Sequence, residues 1–329
     1  METYYAAIGK NKNDVEKSSS GGAFFVLAKK IIKENGVVCG AAFDESLKVK
    51  HIIVDSVSGL ERLRGSKYVQ SEMRSTLRDI KSILMSGKVV LFSGTACQIK
   101  ALHAFLQSQG IQNRDNLISV EILCHGVPSP GIFSDYIHNW KCGLKTDIVD
   151  YQFRAKNLGR DFIIRVQDSE GKIKYLNALA DPFYTAFLNN SILRPSCYEC
   201  KFCGTIRDAD ITLGDFWGIE KAQVNNELKK GCSLVMCNSS KGEHFFEQSS
   251  SELIFQKVGK KIAIEKQPQL KVNTRQDMAP ANRKELFQRW KKDSSSDFFS
   301  YLRKCSINKK KLLFSFLPKR IKLLIKRIA

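Results

Sequence analysis

The chain has 329 residues, 43% hydrophobic and 10% aromatic, a composition typical of folded globular proteins and not of disordered ones. The formal net charge of +20 at pH 7 favours an anionic partner without identifying it. The sequence shows no apolar signal core, and no apolar run is long enough for a membrane span. It therefore predicts a cytoplasmic protein of one or two domains.

Helical and strand patterns alternate through about residue 140. Serines followed by a stripe at Phe24, Leu27 and Ile31 predict a helix that ends at Gly36. Strands are predicted at VVCGAAF, VKHIIVD and LISVEI, a helix at 71–86, and a strand, turn and helix in KVVLFSGTACQIKALHAFLQ. This alternation predicts an α/β fold with a mostly parallel or mixed sheet flanked by helices.

The second half of the chain shows two further patterns. Residues 148–178 predict an antiparallel β meander, and a boundary near 270 separates a domain at 1–270 from a helical region at 271–329. From Lys309 onward the chain carries eight Lys or Arg and no acid. Ile321, Leu324 and Ile328 at helical spacing predict a basic amphipathic tail helix. Such a helix would bind a membrane surface, dock to a partner or pack on its own domain.

Ten cysteines in a reducing compartment indicate metal or redox chemistry. Cys197, Cys200 and Cys203 form a C-x2-C-x2-C segment without a fourth cysteine at the expected distance. Cys97 and Cys124 each follow a predicted strand. If these strands are parallel neighbours, both cysteines lie at the carboxyl edge of the sheet, where open α/β sheets bind ligands.

A zinc site is the competing interpretation of the cysteines. Cys232 and Cys237 could complete a four-thiolate site with Cys197 and Cys200. However, SLVMC has the pattern of a strand, which places Cys232 and Cys237 on opposite faces. We therefore predict that these two are packing residues. The other cysteines, including those at positions 39, 142 and 305, are expected to be small buried hydrophobic residues.

Three segments could hold a phosphate-bearing cofactor. SSSGG precedes a helix, which suits a phosphate, although ordinary helix capping explains it equally well. GSKYVQS and the turn SGTA are further candidates, and no G-x-G-x-x-G follows a strand. In GDFWG, Asp215 is either a simple turn residue or lies beside an aromatic pair, Phe216 and Trp217, that shields a flat cofactor.

Six motifs in order resemble the coenzyme F420 hydrogenase/dehydrogenase beta-subunit family, over roughly residues 3–240. The bacterial members associated with surface-polysaccharide gene clusters are the most similar. The motifs are KSSSGGAFF, LRGSKYVQS, LFSGTACQI, ILCHGVPSP, FRAK and LRPSCYECKFC…DITLGDFWG. The resemblance implies a flavin and iron–sulfur oxidoreductase that moves electrons between a cluster, a flavin and an external redox partner.

The resemblance also implies residue roles. The family's recurrent cysteines fall on Cys97, Cys124, Cys197 and Cys200, implying a [4Fe-4S] cluster. Cys203 is then an extra thiol, although C-x2-C-x2-C is itself a cluster loop and keeps it a candidate ligand. The implied contacts of FAD or another flavin are Ser19, Ser20, Gly21, Gly22, Ser66, Lys67, Tyr68, Gly94 and Thr95, with Arg154 and Asp215 as weaker contacts.

The chain departs from the family at two points. Ala96 stands where relatives carry proline before the cysteine, and the ferredoxin-like stretch that begins many bacterial relatives has no counterpart here. Either a separate ferredoxin or another partner is therefore the electron donor or acceptor, or this copy has lost part of its electron-transfer chain. Coenzyme F420 is the acceptor of archaeal relatives, and nothing in the sequence indicates that this protein's host makes it.

Two rival functions follow from the same features. A non-catalytic scaffold for a polysaccharide-modifying enzyme is favoured by the missing ferredoxin motifs and opposed by the retained cysteines. A zinc-stapled nucleic-acid-binding protein would carry basic residues beside the cysteines. The basic excess lies about a hundred residues away instead, and acidic Glu199, Asp208 and Asp210 surround the cysteine segment. A nucleic-acid partner is therefore disfavoured.

Overall fold

The computed structural model describes residues 2–157, 160–229, 231–271 and 279–316. Within these ranges the strands are Thr3–Gly9 (β1), Val37–Phe43 (β2), Val49–Val54 (β3), Val90–Gly94 (β4), Leu117–Ile122 (β5), Ile148–Asn157 (β6), Arg160–Asp168 (β7), Ile173–Asn177 (β8), Ile211–Asp215 (β9), Ser233–Cys237 (β10) and Leu253–Lys257 (β11).

The helices in the same ranges are Lys12–Glu16 (α1), Ala23–Lys33 (α2), Val57–Leu63 (α3), Thr76–Met85 (α4), Ala96–Ser108 (α5), Pro130–Leu144 (α6), Pro182–Leu188 (α7), Pro195–Tyr198 (α8), Asn226–Lys229 (α9), Ser240–Gln248 (α10), Lys260–Glu265 (α11), Pro268–Lys271 (α12), Arg283–Lys292 (α13), Ser295–Ser306 (α14) and Lys309–Phe316 (α15).

The larger sheet has eight strands in the order β11-β1-β10-β9-β5-β4-β2-β3. Its centre is parallel, since β2 pairs with β4, β4 with β5 and β5 with β9. Strand β3 pairs antiparallel with β2 at one side, and β10, β1 and β11 extend the other side with antiparallel pairs. The sequence prediction of an α/β fold with a mixed sheet is confirmed.

Hydrophobic residues cover both faces of this sheet, because successive residues of a strand point to opposite sides. In β1, Tyr5 and Ala7 join one core cluster, while Tyr4 and Ala6 join another. Helices α2, α3 and α10 contribute to the first cluster. On the opposite face, α4 and α5 cover the parallel strands and α9 and α11 cover the antiparallel ones. Burial on both faces is what a parallel core requires.

Two compact units make up the chain. The first consists of Met1–His125 and Pro195–Gln276 and contains the larger sheet, and the second consists of Gly126–Arg194 and Asp277–Ala329. The sequence analysis predicted a different division, with one boundary near 270 and residues 126–194 in the first domain, whereas here residues 126–194 are grouped with the C-terminal segment.

The second unit contains the predicted meander and an aromatic core. Strands β6, β7 and β8 form a three-stranded antiparallel sheet. The rings of Tyr136 on α6 and Phe183 on α7 stack with centroids 5.2 Å apart. Asp181 caps α7 by accepting the amide of Tyr184 at 2.7 Å, and it also accepts the Tyr136 hydroxyl. Burial raises the pKa of Asp181 to about 6, which these hydrogen bonds oppose.

The predicted basic amphipathic tail, from Ile321 to Ile328, lies outside the described residues. Over the ranges that are described, no helix has the length and apolar character needed to cross a membrane.

Candidate functional site

The carboxyl ends of the central strands form one edge of the larger sheet. Gly94 of β4 lies opposite Glu121 of β5, and Leu213 of β9 pairs with Ile122. At the end of β9, Asp215 lies opposite Ser233, the first residue of β10. The segments that follow β4 and β5 therefore begin side by side, as the sequence predicted, and they carry Cys97 and Cys124.

Cys97 lies in the first turn of α5 and is exposed. Thr95 is the N-cap residue, and its backbone amide donates to the Gln98 side-chain carbonyl over 3.0 Å. This contact is characteristic of a capping box. The Thr95 hydroxyl lies 3.1 Å from the Cys97 sulfur and 3.2 Å from Gln98 Oε1. The predicted residues Gly94 and Thr95 thus form the turn that presents the thiol.

A hydrogen-bond chain behind this turn was not predicted from the sequence. Gln98 Nε2 donates to the Ser71 hydroxyl over 2.8 Å, and Ser71 Oγ lies 2.9 Å from Nδ1 of His51. The other ring nitrogen, Nε2, lies 3.0 Å from the carbonyl oxygen of Ser93. Only the alternation of β3 could have indicated an inward-facing histidine, because the serine and glutamine are remote in sequence.

The hydrogen bonds from Gln98 to Ser93 all run in one donor-to-acceptor direction. The Ser93 carbonyl can only accept, so His51 Nε2 carries the proton and Nδ1 accepts from the Ser71 hydroxyl. That hydroxyl then accepts from Gln98 Nε2, which turns the glutamine oxygen toward Thr95. Burial lowers the pKa of His51 to about 4, the Ser93 hydrogen bond opposes this, and the charge of Lys67 lowers it further. His51 is therefore neutral near pH 7.

The cysteine loop reaches the same sheet edge through Arg207. Cys197 lies in α8, and Cys200 and Cys203 follow it, all half-buried. Arg207 Nη1 donates to the Phe202 carbonyl over 2.7 Å and to Glu121 Oε1 over 3.0 Å. Because Glu121 lies at the carboxyl end of β5, this ion pair holds the loop there.

No trio or larger group of His, Cys, Asp and Glu in the described part of the chain is arranged to hold a single metal ion. A four-iron cluster makes a different demand. Its thiolate ligands bind separate irons, so they stand further apart than the ligands of one ion.

The remaining cysteines have other environments. Cys232 and Cys237 are buried in clusters on opposite faces of the sheet, which confirms that they are packing residues and excludes their convergence on one zinc. Burial raises the pKa of each of these two thiols to about 12. Cys39 is buried as expected, but for Cys142 and Cys305 the prediction was wrong, because both are exposed on helices of the second unit.

The serine–glycine turn before α2 lies against the start of β10. The Gly21 amide donates to Ser233 Oγ over 3.1 Å, and its carbonyl accepts from the Gly9 amide over 2.8 Å. A Cβ on Gly21 would stand 2.5 Å from both the Ala7 oxygen and the Ser233 nitrogen, so only glycine fits. Gly22, the N-cap of α2, has φ of 82°, which also favours glycine.

The polar groups predicted to contact a flavin bind protein backbone in this structure. Ser19 Oγ accepts the Ser66 amide over 2.8 Å, and Ser20 Oγ donates to the Cys232 carbonyl over 3.1 Å. Lys67 Nζ donates to the carbonyl of Arg64 over 2.7 Å, just beyond α3. Tyr68 follows and is half-buried. The two segments, 19–22 and 66–68, are thus brought together.

Arg64 is a further residue of this region. It lies in the motif LRGSKYVQS, but no role was predicted for it from the sequence. Its guanidinium lies 3.9 Å from the centre of the Phe25 ring and 3.3 Å from Asp14. The side chain is 5% exposed. It joins α1, α2 and the end of α3 around the serine–glycine turn.

Asp215 and Arg154 have different settings. The Asp215 carbonyl accepts from Gln267 Nε2 over 2.6 Å at the end of β9. The next residue, Phe216, is buried in the core and Trp217 is 44% exposed, so only the tryptophan of this pair could face a ligand. Arg154 lies in the second unit on β6, with its guanidinium 5.4 Å from the Phe162 ring centre.

Comparison with solved structures finds a similar fold in a hydrogenase complex. A chain of the F420-reducing [NiFe] hydrogenase complex from Methanosarcina barkeri, in a xenon-derivatised structure, is similar with a TM-score of 0.54 and 17% identity. The match covers 92% of this chain and 90% of that one, and at this identity it shows the fold alone. No curated protein sequence matches the chain.

The family model for the C terminus of the beta subunit of coenzyme F420 hydrogenase/dehydrogenase matches residues 87–261, just over half of the chain. This range includes both strand-end cysteines, the C-x2-C-x2-C segment and Arg207. The chain belongs to the coenzyme F420 hydrogenase/dehydrogenase beta-subunit family, and hence to a family of oxidoreductase subunits.

Proposed function

We propose that this protein is an iron–sulfur flavoprotein oxidoreductase. It passes electrons between a [4Fe-4S] cluster, a flavin such as FAD and a separate partner of the ferredoxin class. A role in surface-polysaccharide biosynthesis is part of the proposal and rests on the resemblance to bacterial family members. F420 is disfavoured as the acceptor, because the sequence gives no indication that the host makes this coenzyme.

The observation that carries the proposal is the meeting of three cysteine-bearing segments at one sheet edge. Cys97 follows β4 and Cys124 follows β5, which are parallel neighbours. Residues 197–203 are drawn to this edge by the contact between Arg207 and Glu121. Carboxyl edges of parallel strands are where α/β sheets bind ligands.

The residues at this edge fit an iron–sulfur cluster better than a zinc ion. Cys97, Cys124, Cys197 and Cys200 offer sulfur ligands from three segments, and Cys203 is a fifth thiol in the last of these segments. Cys97 lies at the N-terminus of a 13-residue helix, whose positive dipole end suits an anionic group at this position. The buried guanidinium of Arg207 supplies positive charge next to this anionic donor set.

A flavin is proposed at the turn before α2. Phosphate groups bind well at helix N-termini. Gly22 carries no side chain that could cap this one, and the helix is 11 residues long. The contacts of Ser19, Ser20 and Lys67 with backbone give these groups fixed positions. Gly94, Thr95 and Asp215 lie further along the same edge.

When bound, the cluster would supply one-electron transfer and the flavin would couple it to two-electron chemistry on an organic substrate. The chain's own part is to hold and orient both groups. Thr95 and Gln98 fix the Cys97 turn, Arg207 holds the cysteine loop, and Gly21 allows the serine–glycine turn to approach β10. We propose that Trp217, which is partly exposed after β9, limits the access of water to this edge.

Serine substitutions test the ligand set directly. Cys97→Ser, Cys124→Ser, Cys200→Ser and Cys203→Ser would be purified anaerobically, with the exposed Cys142→Ser as a control. Iron and acid-labile sulfide would be measured per chain. We expect substitution of each of the first three to remove most of both, while Cys203→Ser and the control keep the wild-type content.

Two results would contradict the proposal. Zinc bound without sulfide would favour the zinc-stapled class, and a wild-type chain without metal or flavin would favour a scaffold. Loss of iron on substitution of Cys203 but not of Cys124 would keep the oxidoreductase and move the fourth ligand into the C-x2-C-x2-C loop.

A further inference from the structure

Arg207 occupies a particular position in the cysteine segment. It lies four residues after Cys203, where a bacterial ferredoxin run of the C-x2-C-x2-C-x3-C type has its fourth cysteine. A cationic side chain therefore stands in the chain where such a loop would carry a ligand. The family resemblance assigns no role to this residue.

The contacts of Arg207 are buried. In the ion pair with Glu121 the side chains are 3% and 1% exposed. The same nitrogen, Nη1, binds the carbonyl of Phe202, which lies between Cys200 and Cys203. Burial raises the pKa of Glu121 to about 7, Arg207 lowers it, and the negative charges of Asp208 and Cys200 raise it further. Cys200 is thus close enough to this pair to act on it electrostatically.

The other two guanidinium nitrogens of Arg207 differ from Nη1 in their hydrogen bonding. Nε and Nη2 of Arg207 are buried and have no hydrogen-bond partner among the residues that the structure describes. An N–H group buried without an acceptor is destabilising, and more so when it belongs to a charged group, so native proteins rarely contain one. An anionic acceptor bound by the neighbouring cysteines would remove this cost.

We propose that Arg207 is the charge-compensating residue of the cysteine site, with Nε and Nη2 donating hydrogen bonds to thiolate or sulfide sulfur of the bound cluster. The inference rests on the proposed function. Hydrogen bonds to the sulfurs and nearby positive charge stabilise the more negative, reduced state. Reduction adds one electron from a ferredoxin-class donor and changes no bond at Arg207. The residue therefore sets the reduction potential and is not itself a ligand.

The test is a redox titration of the anaerobic protein with dithionite, monitored by the visible spectrum. It compares wild type, Arg207→Gln, Arg207→Lys and a surface control, Arg74→Gln, which also removes one positive charge. We expect Arg207→Gln to lower the equilibrium constant for reduction at least tenfold, a 59 mV fall for a one-electron couple. The reduction potential of Arg207→Lys should fall less, because lysine keeps the positive charge but lacks the planar guanidinium. The control should match wild type.

A second variant keeps the inference testable if Arg207→Gln does not retain the cluster. Glu121→Gln leaves Arg207 in place without its negative partner. In mildly alkaline buffer, where Glu121 of the wild type is ionised, the reduction potential of the cluster in this variant should therefore be higher than in wild type. An unchanged potential in a cluster-bearing Arg207→Gln protein, or in Glu121→Gln, overturns the inference and leaves the proposed function standing. Absence of iron and sulfide from the wild type overturns the proposed function and the inference together.

Discussion

His51 Nδ1 lies 2.9 Å from the hydroxyl of Ser71, and this contact connects the edge strand β3 to the turn that carries Cys97. Gln98 continues the connection by donating to the same hydroxyl over 2.8 Å. Since the Ser93 carbonyl fixes the tautomer of the histidine, it also fixes which end of the Gln98 amide faces Thr95. A buried histidine thereby determines the capping of a helix on the neighbouring strands.

The first prediction concerns His51 and acid stability. The pKa of His51 is about 4 in the folded protein, whereas the pKa of a histidine in an unfolded chain is about 6.5. Well above pH ~6.5, His51 is neutral in both the folded and the unfolded state, and its full contribution to stability is present. As the pH falls toward 4, only the unfolded state gains the proton, so stability falls by at most about 3 kcal/mol. His51→Gln should flatten the curve of unfolding free energy against pH in this window.

Urea unfolding at several pH values would measure this effect. The control is His244→Gln, which removes an exposed histidine of the same unit. An identical pH dependence in His51→Gln and wild type would show that His51 is not the buried neutral group described here.

The second prediction separates the two functions of Gln98. Gln98→Leu removes both the acceptor for Thr95 and the donor to Ser71, and should cost about 1–2 kcal/mol. Gln98→Glu keeps the acceptor at the third helical position but cannot donate to Ser71, so it should retain most of the cap. Chemical denaturation of both variants measures the difference. Equal losses would mean that the link to Ser71, and not the cap, carries the stability.

The third prediction concerns Ala96, the first residue of α5, where relatives carry proline. Proline is favoured at this position, and the preceding Thr95 has φ of −74° and ψ of 161°, which proline permits. Ala96→Pro should therefore stabilise the protein by about 0.5–1 kcal/mol, roughly 2 °C in Tm. Ala101→Pro, inside the same helix, should instead destabilise it by about 3 kcal/mol. A lower Tm for Ala96→Pro would argue against the observed N-terminus of α5.

The fourth prediction concerns Gly21. Its missing Cβ would lie 2.5 Å from backbone atoms of β1 and β10, which cannot move without disturbing the sheet. Gly21→Ala should cost about 3 kcal/mol and lower the affinity for flavin. Gly259→Ala, at a site with open space, should cost less than about 1 kcal/mol. Thermal unfolding and bound-flavin absorbance measure both effects, and equal behaviour of the two variants would refute the close approach.

Local sequence patterns were sufficient for much of this fold. The strand–turn–helix around Cys97, the meander and the opposed positions of Cys232 and Cys237 were all predicted, because periodicity of two or about 3.6 residues reports which faces are buried. The helix predicted over 71–86 begins only at Thr76, since Glu72 forms a bridge with Lys50 and Ser71 binds His51. Tertiary contacts replaced helical ones at that end.

Long-range partners could not be predicted. The pairing of Arg207 with Glu121 joins residues 86 positions apart, and no local pattern specifies it. Residues 126–194 give no local sign of joining the C-terminal segment, because unit membership depends on contacts and not on periodicity. The cysteines were easier to identify, since their spacing is itself a chemical signal.

The oxidoreductase proposal stands or falls with the iron, acid-labile sulfide and flavin content of the anaerobically purified wild-type chain. We expect about four irons with matching sulfide per chain, together with one bound flavin and the broad visible absorbance of a cluster. A colourless, monodisperse protein without sulfide and flavin, even after reconstitution with iron, sulfide and FAD, would contradict it.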